Sequence, residues 1–187
     1  MRHAALVFPG MGYTHAFPIL HLTALALRQV GATVEQVNYP VLADYTGQEQ
    51  FWTPERERRF HADARSATKR ILDSHPERLT LVGKSLGTHV LAALVDDPDL
   101  PDRTEAIWLT PVLGEDNVFD GARRSRWPSL FVVGTDDPAH RPDRQDSVPG
   151  EVFELAGNHS LEVQGDVAAT ADNYRRLTQK LLEFLRQ

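Results

Sequence analysis

The sequence contains no cysteine. That excludes disulfides, thiolate metal sites and cysteine nucleophiles. Lysine is scarce: of 20 basic residues only Lys69, Lys84 and Lys180 are lysine. This bias is read as genome composition and given no functional weight. There is no basic excess either. The net charge is −6, whereas a duplex-binding protein usually carries a positive footprint, so nucleic acid is not an expected partner. Long apolar runs are missing. Residues 90–95 and 4–8 form the longest, six and five residues, against roughly 20 needed to span a bilayer. The second run stops at Pro9-Gly10, too short for a signal-peptide core. The expectation is a cytoplasmic protein with no membrane partner. No repeat or low-complexity stretch is present.

Hydrophobic residues make up 41% and charged residues 25% of the chain, which suits a folded soluble protein and argues against disorder. With 187 residues the length predicts one domain, 1–187, large enough to bury its own core.

Short apolar runs alternate with stretches of helical period. Residues 4–8, 79–82, 106–109 and 130–133 are nearly continuous apolar runs, the look of strands covered on both faces of a parallel sheet. Residues 33–39 and Glu151–Leu155 alternate more and suit positions nearer the edges. Between them, Leu22, Ala26 and Val30 mark one helix, stopped by Gly31. Thr53-Pro54 is an N-cap followed by an N1 proline. It opens a helix whose predicted stripe is Phe60, Ala64, Ala67 and Ile71. Residues 86–95 form a third helix, ended by Asp97-Pro98. Val167, Ala171, Tyr174, Leu181 and Leu185 mark the last. The pattern predicts an open doubly wound α/β sheet, mostly parallel and six-stranded, with helices on both faces. Two long connections, residues 40–52 and 110–127, are expected near the carboxyl ends of strands, where open α/β sheets bind ligands.

The strand at 79–82 runs straight into Gly83-Lys84-Ser85-Leu86-Gly87 and then a helix. This is G-x-S-x-G in strand–turn–helix context. A nucleophilic serine must stand clear of the backbone, so the turn is tight, and two residues to either side strand and helix approach too closely for a Cβ. Glycine at both places removes the clash. The helix N-terminus then aims free N–H groups at the place where negative charge develops. Glycine is 12 of 187 residues and serine seven, so an accidental match is expected about 3% of the time. Gly83-Lys84-Ser85 also looks like the tail of a phosphate-binding loop, but that motif needs glycine at 78, where Arg78 stands.

A serine hydroxyl needs a base, and the base needs an orienting group. After residues 130–133 comes Gly134-Thr135-Asp136-Asp137-Pro138. After Glu151–Leu155 comes Gly157-Asn158-His159. The order Ser, Asp, His is the one expected on this architecture. With these residues the sequence resembles the α/β-hydrolase family, in a small version without a cap domain. The resemblance rests on the elbow, the Gly134-to-Asp137 turn, the Gly157-to-His159 turn and Pro9-Gly10-Met11-Gly12, which is similar to the family's oxyanion loop. The chain departs from the family in having no first antiparallel hairpin, and in Pro9 where a histidine often precedes the oxyanion-loop glycine.

The resemblance implies strand order 2-1-3-4-5-6 and a catalytic set of Ser85, Asp137 and His159. Ser85 would attack a carbonyl, His159 would carry its proton, and Asp137 would hold the imidazole tautomer. The spacing from Gly134 selects Asp137 over Asp136. The N–H groups of Met11 and Leu86 would bind the oxyanion. Ser85 Oγ is expected within hydrogen-bond reach of His159, and Asp137 on the other ring nitrogen. Tyr13, Val112, Leu113 and Leu161, with Met11 and Leu86, are candidate apolar lining for a fairly open cleft. The implied activity is hydrolysis of a small-molecule ester or thioester through an acyl-enzyme. The alternatives are an acyltransferase with the same intermediate and a non-catalytic binding protein. No cofactor and no metal are expected, since no metal-ligand spacing such as H-E-x-x-H occurs. His15, His21 and His140 are weaker cleft candidates, and His89 is expected to pack. Arg123, Arg124 and Arg126 read as a solvated cluster, with an anionic substrate tail as the alternative. No oligomeric state is indicated.

Overall fold

The computed structural model describes residues 2–39 and 53–187. Six strands and six helices follow in the order β1 (His3–Phe8), α1 (Pro18–Gln29), β2 (Thr33–Gln36), α2 (Pro54–Leu72), β3 (Arg78–Lys84) and α3 (Gly87–Leu94), then β4 (Thr104–Leu109), α4 (Asp116–Arg124), β5 (Ser129–Gly134), α5 (Pro142–Gln145), β6 (Glu151–Leu155) and α6 (Val167–Leu185). The strands form one sheet in the expected order 2-1-3-4-5-6, and every pairing is parallel.

The apolar runs are strands because both faces are covered. Leu6, Phe8, Leu79, Leu81, Ala106, Trp108 and Phe131 pack under α2, α3 and α4. Ala5, Val7, Val82, Ile107, Leu109, Leu130 and Val132 pack under α1 and α6. Residues of one strand alternate between these two layers, as the two-residue pleat demands. The outer strands, β2 and β6, are only partly buried.

The predicted stripe of α2 is the buried one, and Thr53 Oγ1 caps the helix by accepting from Arg56 N at 3.2 Å. Helix α1 sits rotated from expectation, and α6 buries Leu181 and Leu185 of its expected markers. The buried face of α1 is Ile19, Leu20, Thr23, Ala24, Ala26 and Leu27, while Leu22 and Val30 are only partly covered. In α6 the face is Asn173, Leu177, Leu181, Phe184 and Leu185, and Val167 stands in solvent. Strand β2 stops at Gln36 rather than reaching residue 39. The 110–127 connection contains α4, docked on α3 so closely that Gly121 touches Ala92. The other long connection, 40–52, lies outside the described residues. Among the described residues no helix is long and apolar enough to cross a membrane.

Register aligns the strand ends. Phe8 pairs with Gly83, Lys84 with Leu109, and Gly134 with Leu155. The segments that follow β1, β3, β4, β5 and β6 therefore gather along one edge.

Candidate active site

Ser85 follows β3 at that edge, with φ +51°. A non-glycine residue in the left-handed region costs on the order of 1–3 kcal/mol and persists only where its surroundings fix it. Ser85 N donates to Leu109 O at 3.0 Å, and Thr88 donates to Ser85 O through both N (2.9 Å) and Oγ1 (2.6 Å). The flanking glycines are required by contact. A Cβ on Gly83 would lie 2.7 Å from Gly87 O, and one on Gly87 would run into the Phe8 carbonyl. Two other non-glycine residues at this edge share the strained conformation, Thr110 after β4 (φ +41°) and Leu161 beyond β6 (φ +59°).

Asp137 stands in the turn after β5. Its N donates to Gly134 O at 3.2 Å, and its Oδ1 accepts from Ala139 N at 2.8 Å. His159 Nδ1 donates to Asp137 Oδ2 at 2.7 Å. The carboxylate is buried and the imidazole one-third exposed. Burial by itself pushes the Asp137 pKa up. The hydrogen bonds from His159 and Ala139 and the charges of His159 and Lys84 outweigh it and hold the carboxyl below its usual range. An ionised carboxylate only accepts, so His159 carries its proton on Nδ1 and leaves Nε2 free. Asp136 is exposed; its N donates to Gly157 O, and its carboxylate makes no bond to His159.

The loop carrying His159 is fixed from beneath. Asn158 Oδ1 accepts from Ser160 N (2.7 Å) and Glu162 N (3.1 Å). From α6, Asn173 donates to Leu161 O at 2.9 Å and to Ala156 O, and Tyr174 donates to Ser160 O at 3.2 Å. Lys84 Nζ donates to His159 O at 3.1 Å, bringing the residue beside Ser85 into direct contact with the His159 backbone. No hydrogen bond joins Ser85 Oγ to His159 among the described residues, so half of the expected chain is closed and half is open. Such contacts are commonly loose without substrate and tighten when it binds.

The turn after β1 completes the edge. A side chain at Gly10 would meet Ser85 Cβ at 3.2 Å, so this backbone lies directly against the elbow. Neither Met11 N nor Leu86 N, the expected oxyanion donors, donates to another group among the described residues. Met11 is 48% exposed.

The expected lining needs correction. Leu161 is 0% exposed and packs among Ile19, Leu20 and Leu177; Leu113 is 2% exposed and packs beside Val118 and Phe131. Both side chains turn into the core and line no cleft. Tyr13 is buried as well, stacked on Phe17 and accepting from Ile19 N at 3.3 Å. Val112 is partly exposed. The segment after β4 is pinned by Arg144, which donates to Leu113 O (3.0 Å) and Asp116 Oδ1 (2.8 Å).

The remaining histidine candidates are tied to other groups or exposed. His15 is tied to Val37 O, His140 to Gln145, and His21 is exposed. His89 packs as expected, bonded to Asn117, and burial pushes its pKa down to about 4. Arg123 and Arg124 pair with Asp120 and Asp96 near the start of β5, the opposite end of the sheet from Ser85. Among the described residues no group of His, Asp and Glu is placed to hold a metal ion.

Sequence reasoning missed Lys84. It is 1% exposed, and its ammonium lies 4.6 Å from the centre of the Tyr13 ring. The signal was available: the last residue of a strand covered on both faces has no route to solvent.

No protein-family model matches this sequence, and no curated protein does. Solved structures do match. A bromoperoxidase from Bacillus anthracis superposes with a TM-score of 0.69 at 13% identity, over 100% of this chain and 93% of that one. An esterase of Pyrococcus furiosus gives 0.71 at 13%, over 98% and 82%. A putative α/β hydrolase from Agrobacterium tumefaciens gives 0.71 at 17%, over 99% and 84%. The chain has the α/β-hydrolase fold.

Proposed function

We propose that this α/β-hydrolase-fold chain is a serine hydrolase that cleaves a carboxylic ester or thioester through an acyl-enzyme. The observation that carries the reading is the 2.7 Å hydrogen bond from His159 Nδ1 to the buried Asp137 carboxylate, at the same sheet edge as the strained Ser85 turn. A structural histidine has no need of an ionised, buried partner that leaves Nε2 bare.

Ser85 Oγ attacks the substrate carbonyl while His159 Nε2 takes its proton, and Asp137 stabilises the imidazolium. The oxyanion of the tetrahedral intermediate accepts from Met11 N and Leu86 N, each donor contributing on the order of 10²–10³ in rate. Collapse breaks the ester bond, and the alcohol or thiol leaves with the proton from His159. Water then repeats the cycle on the acyl-enzyme and releases the acid. With Leu113 and Leu161 in the core, the apolar contact left at the edge is small, chiefly Met11 and Val112. That favours a modest acyl or alkyl group.

Fluorophosphonate labelling tests the nucleophile, and a panel of p-nitrophenyl esters of rising chain length tests the substrate class. Wild-type protein is expected to label and to turn over short esters best, and Ser85→Ala to do neither while keeping its fold. A wild-type chain that neither labels nor hydrolyses any ester overturns the reading. Product analysis with added alcohol or amine acceptors separates hydrolysis from acyl transfer.

A further inference from the structure

Lys84 is the one buried lysine among the described residues, and it meets both the turn after β1 and the His159 loop. Its stem passes the Gly10 backbone, where a side chain would meet Lys84 Cδ at 3.1 Å. Its ammonium faces the Tyr13 ring and donates to His159 O. Along β3 it shares a face with Thr80 and Val82, turned toward α1 and α6, while the next residue is Ser85. We infer that Lys84 is a positioning residue: it ties the elbow, the turn after β1 and the His159 loop into one unit and sets where the imidazole stands relative to Ser85.

The inference rests on the hydrolase reading for its kinetic readout. Packing alone does not account for a lysine here. A buried ammonium loses its hydration, and an apolar residue of similar length in its place is often neutral or stabilising. Burial pulls the Lys84 pKa down to about 7, with the Asp137 charge pulling the other way. The groups facing the ammonium are Tyr13 from the turn after β1, Asp137 after β5 and His159 after β6. No other side chain among the described residues is bonded to the His159 carbonyl, so its removal takes away the one side-chain bond to the backbone of the catalytic position, while Asn158, Asn173 and Tyr174 still hold the rest of the loop. A displacement of about 1 Å there costs on the order of 10²-fold in rate.

The test is Lys84→Met in the full chain, compared with Lys84→Cys alkylated by 2-bromoethylamine in denaturant and refolded. The chain has no other cysteine, so the reaction installs a thialysine at this position alone. Lys84→Met is expected to lower kcat about 10–100-fold, leave KM within about twofold, and keep or raise Tm. The thialysine is expected to recover most of kcat. Independently of activity, the far-downfield proton resonance of the His159 Nδ1–H is expected to broaden in Lys84→Met and sharpen again in the thialysine. Wild-type kcat in Lys84→Met, a loss confined to KM, or no recovery on alkylation overturns the inference. So does an unchanged imidazole resonance. A wild-type protein without esterase activity or labelling sinks the hydrolase reading instead, and the resonance still decides the role of Lys84.

Discussion

A buried lysine makes stability depend on pH in a window where little else titrates. The Lys84 side chain has its ordinary value, 10.5, when the chain is unfolded and about 7 when it is folded, because burial disfavours the charge. Between those values the unfolded chain holds a proton that the folded chain has released, so stability rises with pH. Below about 7 both states are charged and the penalty is present in full. Above about 10.5 both are neutral and the penalty is gone. One proton gives a slope near 1.4 kcal/mol per pH unit, and the whole gap is worth roughly 5 kcal/mol. From pH 7.5 to 9.5 the expected gain is about 2–3 kcal/mol, a large share of a typical folding free energy. The window is clean. His3, His15, His61 and His89 are all pushed down by burial, so their contribution is complete once pH exceeds the unfolded value of 6.5. Tyr13, pushed up to about 12, and Tyr39 and Tyr174 are raised by burial and Lys180 by Glu151, so all four act mainly above about pH 10, at the top of the window and beyond. There is no thiol. Urea unfolding followed by tryptophan fluorescence provides the assay. With a slope of about 2 kcal/mol/M, the wild-type midpoint is expected to rise by about 1 M across the window. Lys84→Met is expected to start higher at pH 7.5 and stay flat. A wild-type midpoint that does not move, or a variant that rises in parallel with it, refutes the assignment of a desolvated ammonium at this position.

The two aspartates and the opposite end of the sheet give further tests. Asp137→Asn is expected to lower ester turnover about 10⁴-fold by upsetting the His159 tautomer, and Asp136→Asn, whose carboxylate does not touch His159, less than tenfold; steady-state kinetics on the best ester decide, and the reverse ranking moves the role to Asp136. Glu105→Gln removes the charge from a partly buried pair in which Arg78 Nη2 lies 2.7 Å from Glu105 Oε2. It is expected to cost up to about 3–5 kcal/mol in urea unfolding, with fluorophosphonate labelling rates unchanged; slower labelling in the folded variant would mean that the two ends of the sheet are coupled.

What could be read from the sequence divides by the range of the interaction that decides it. Strands buried on both faces announce themselves as apolar runs, since no position along them has to suit water. Helix α2 was legible because Thr53-Pro54 fixes its start and Phe60, Ala64, Ala67 and Ile71 its only apolar face. Helix α1 was not. It carries leucine at 20, 22, 25 and 27 and alanine at 24 and 26, apolar residues nearly all round, so the period alone cannot say which side meets the sheet. Helix α4 was invisible for the opposite reason. Its buried residues, Val118, Gly121 and Ala122, are too few and too small to stand out among charged neighbours, and contact with Ala92 on α3 holds it. At the site, Ser85, Asp137 and His159 each sit in a local turn with its own glycine, and local turns are written in sequence. Leu113 and Leu161 were misplaced because the direction of a side chain leaving a strand end depends on the strained backbone there. Leu161, with φ +59°, turns its side chain into the core.

The two ends of the sheet show what that strain is for. At the amino ends of β1, β3 and β4, the polar groups are paired with one another. His3 Nε2 donates to Thr80 Oγ1 (2.8 Å), Thr80 to Glu105 Oε1 (2.6 Å), and Arg78 to both Glu105 oxygens and to Leu185 O. That end stitches four elements together, and the one left-handed non-glycine residue beside it among the described residues, His75 (φ +49°), lies outside the network. At the carboxyl ends the balance is reversed. Ser85, Thr110 and Leu161 hold left-handed backbones, Thr110 Oγ1 is buried without a partner among the described residues, and the Lys84 amine is desolvated. Each of these costs free energy that an idealised α/β sheet would avoid, and they converge within one edge around His159. Strain of this kind is retained where the surrounding structure over-determines it. Here the restraint comes from the closely packed glycines of the elbow, from Asn173 and Tyr174 on α6, and from the covered sheet beneath. The stable end therefore permits the strained one, and the His159–Asp137 pair is held in place before any substrate arrives.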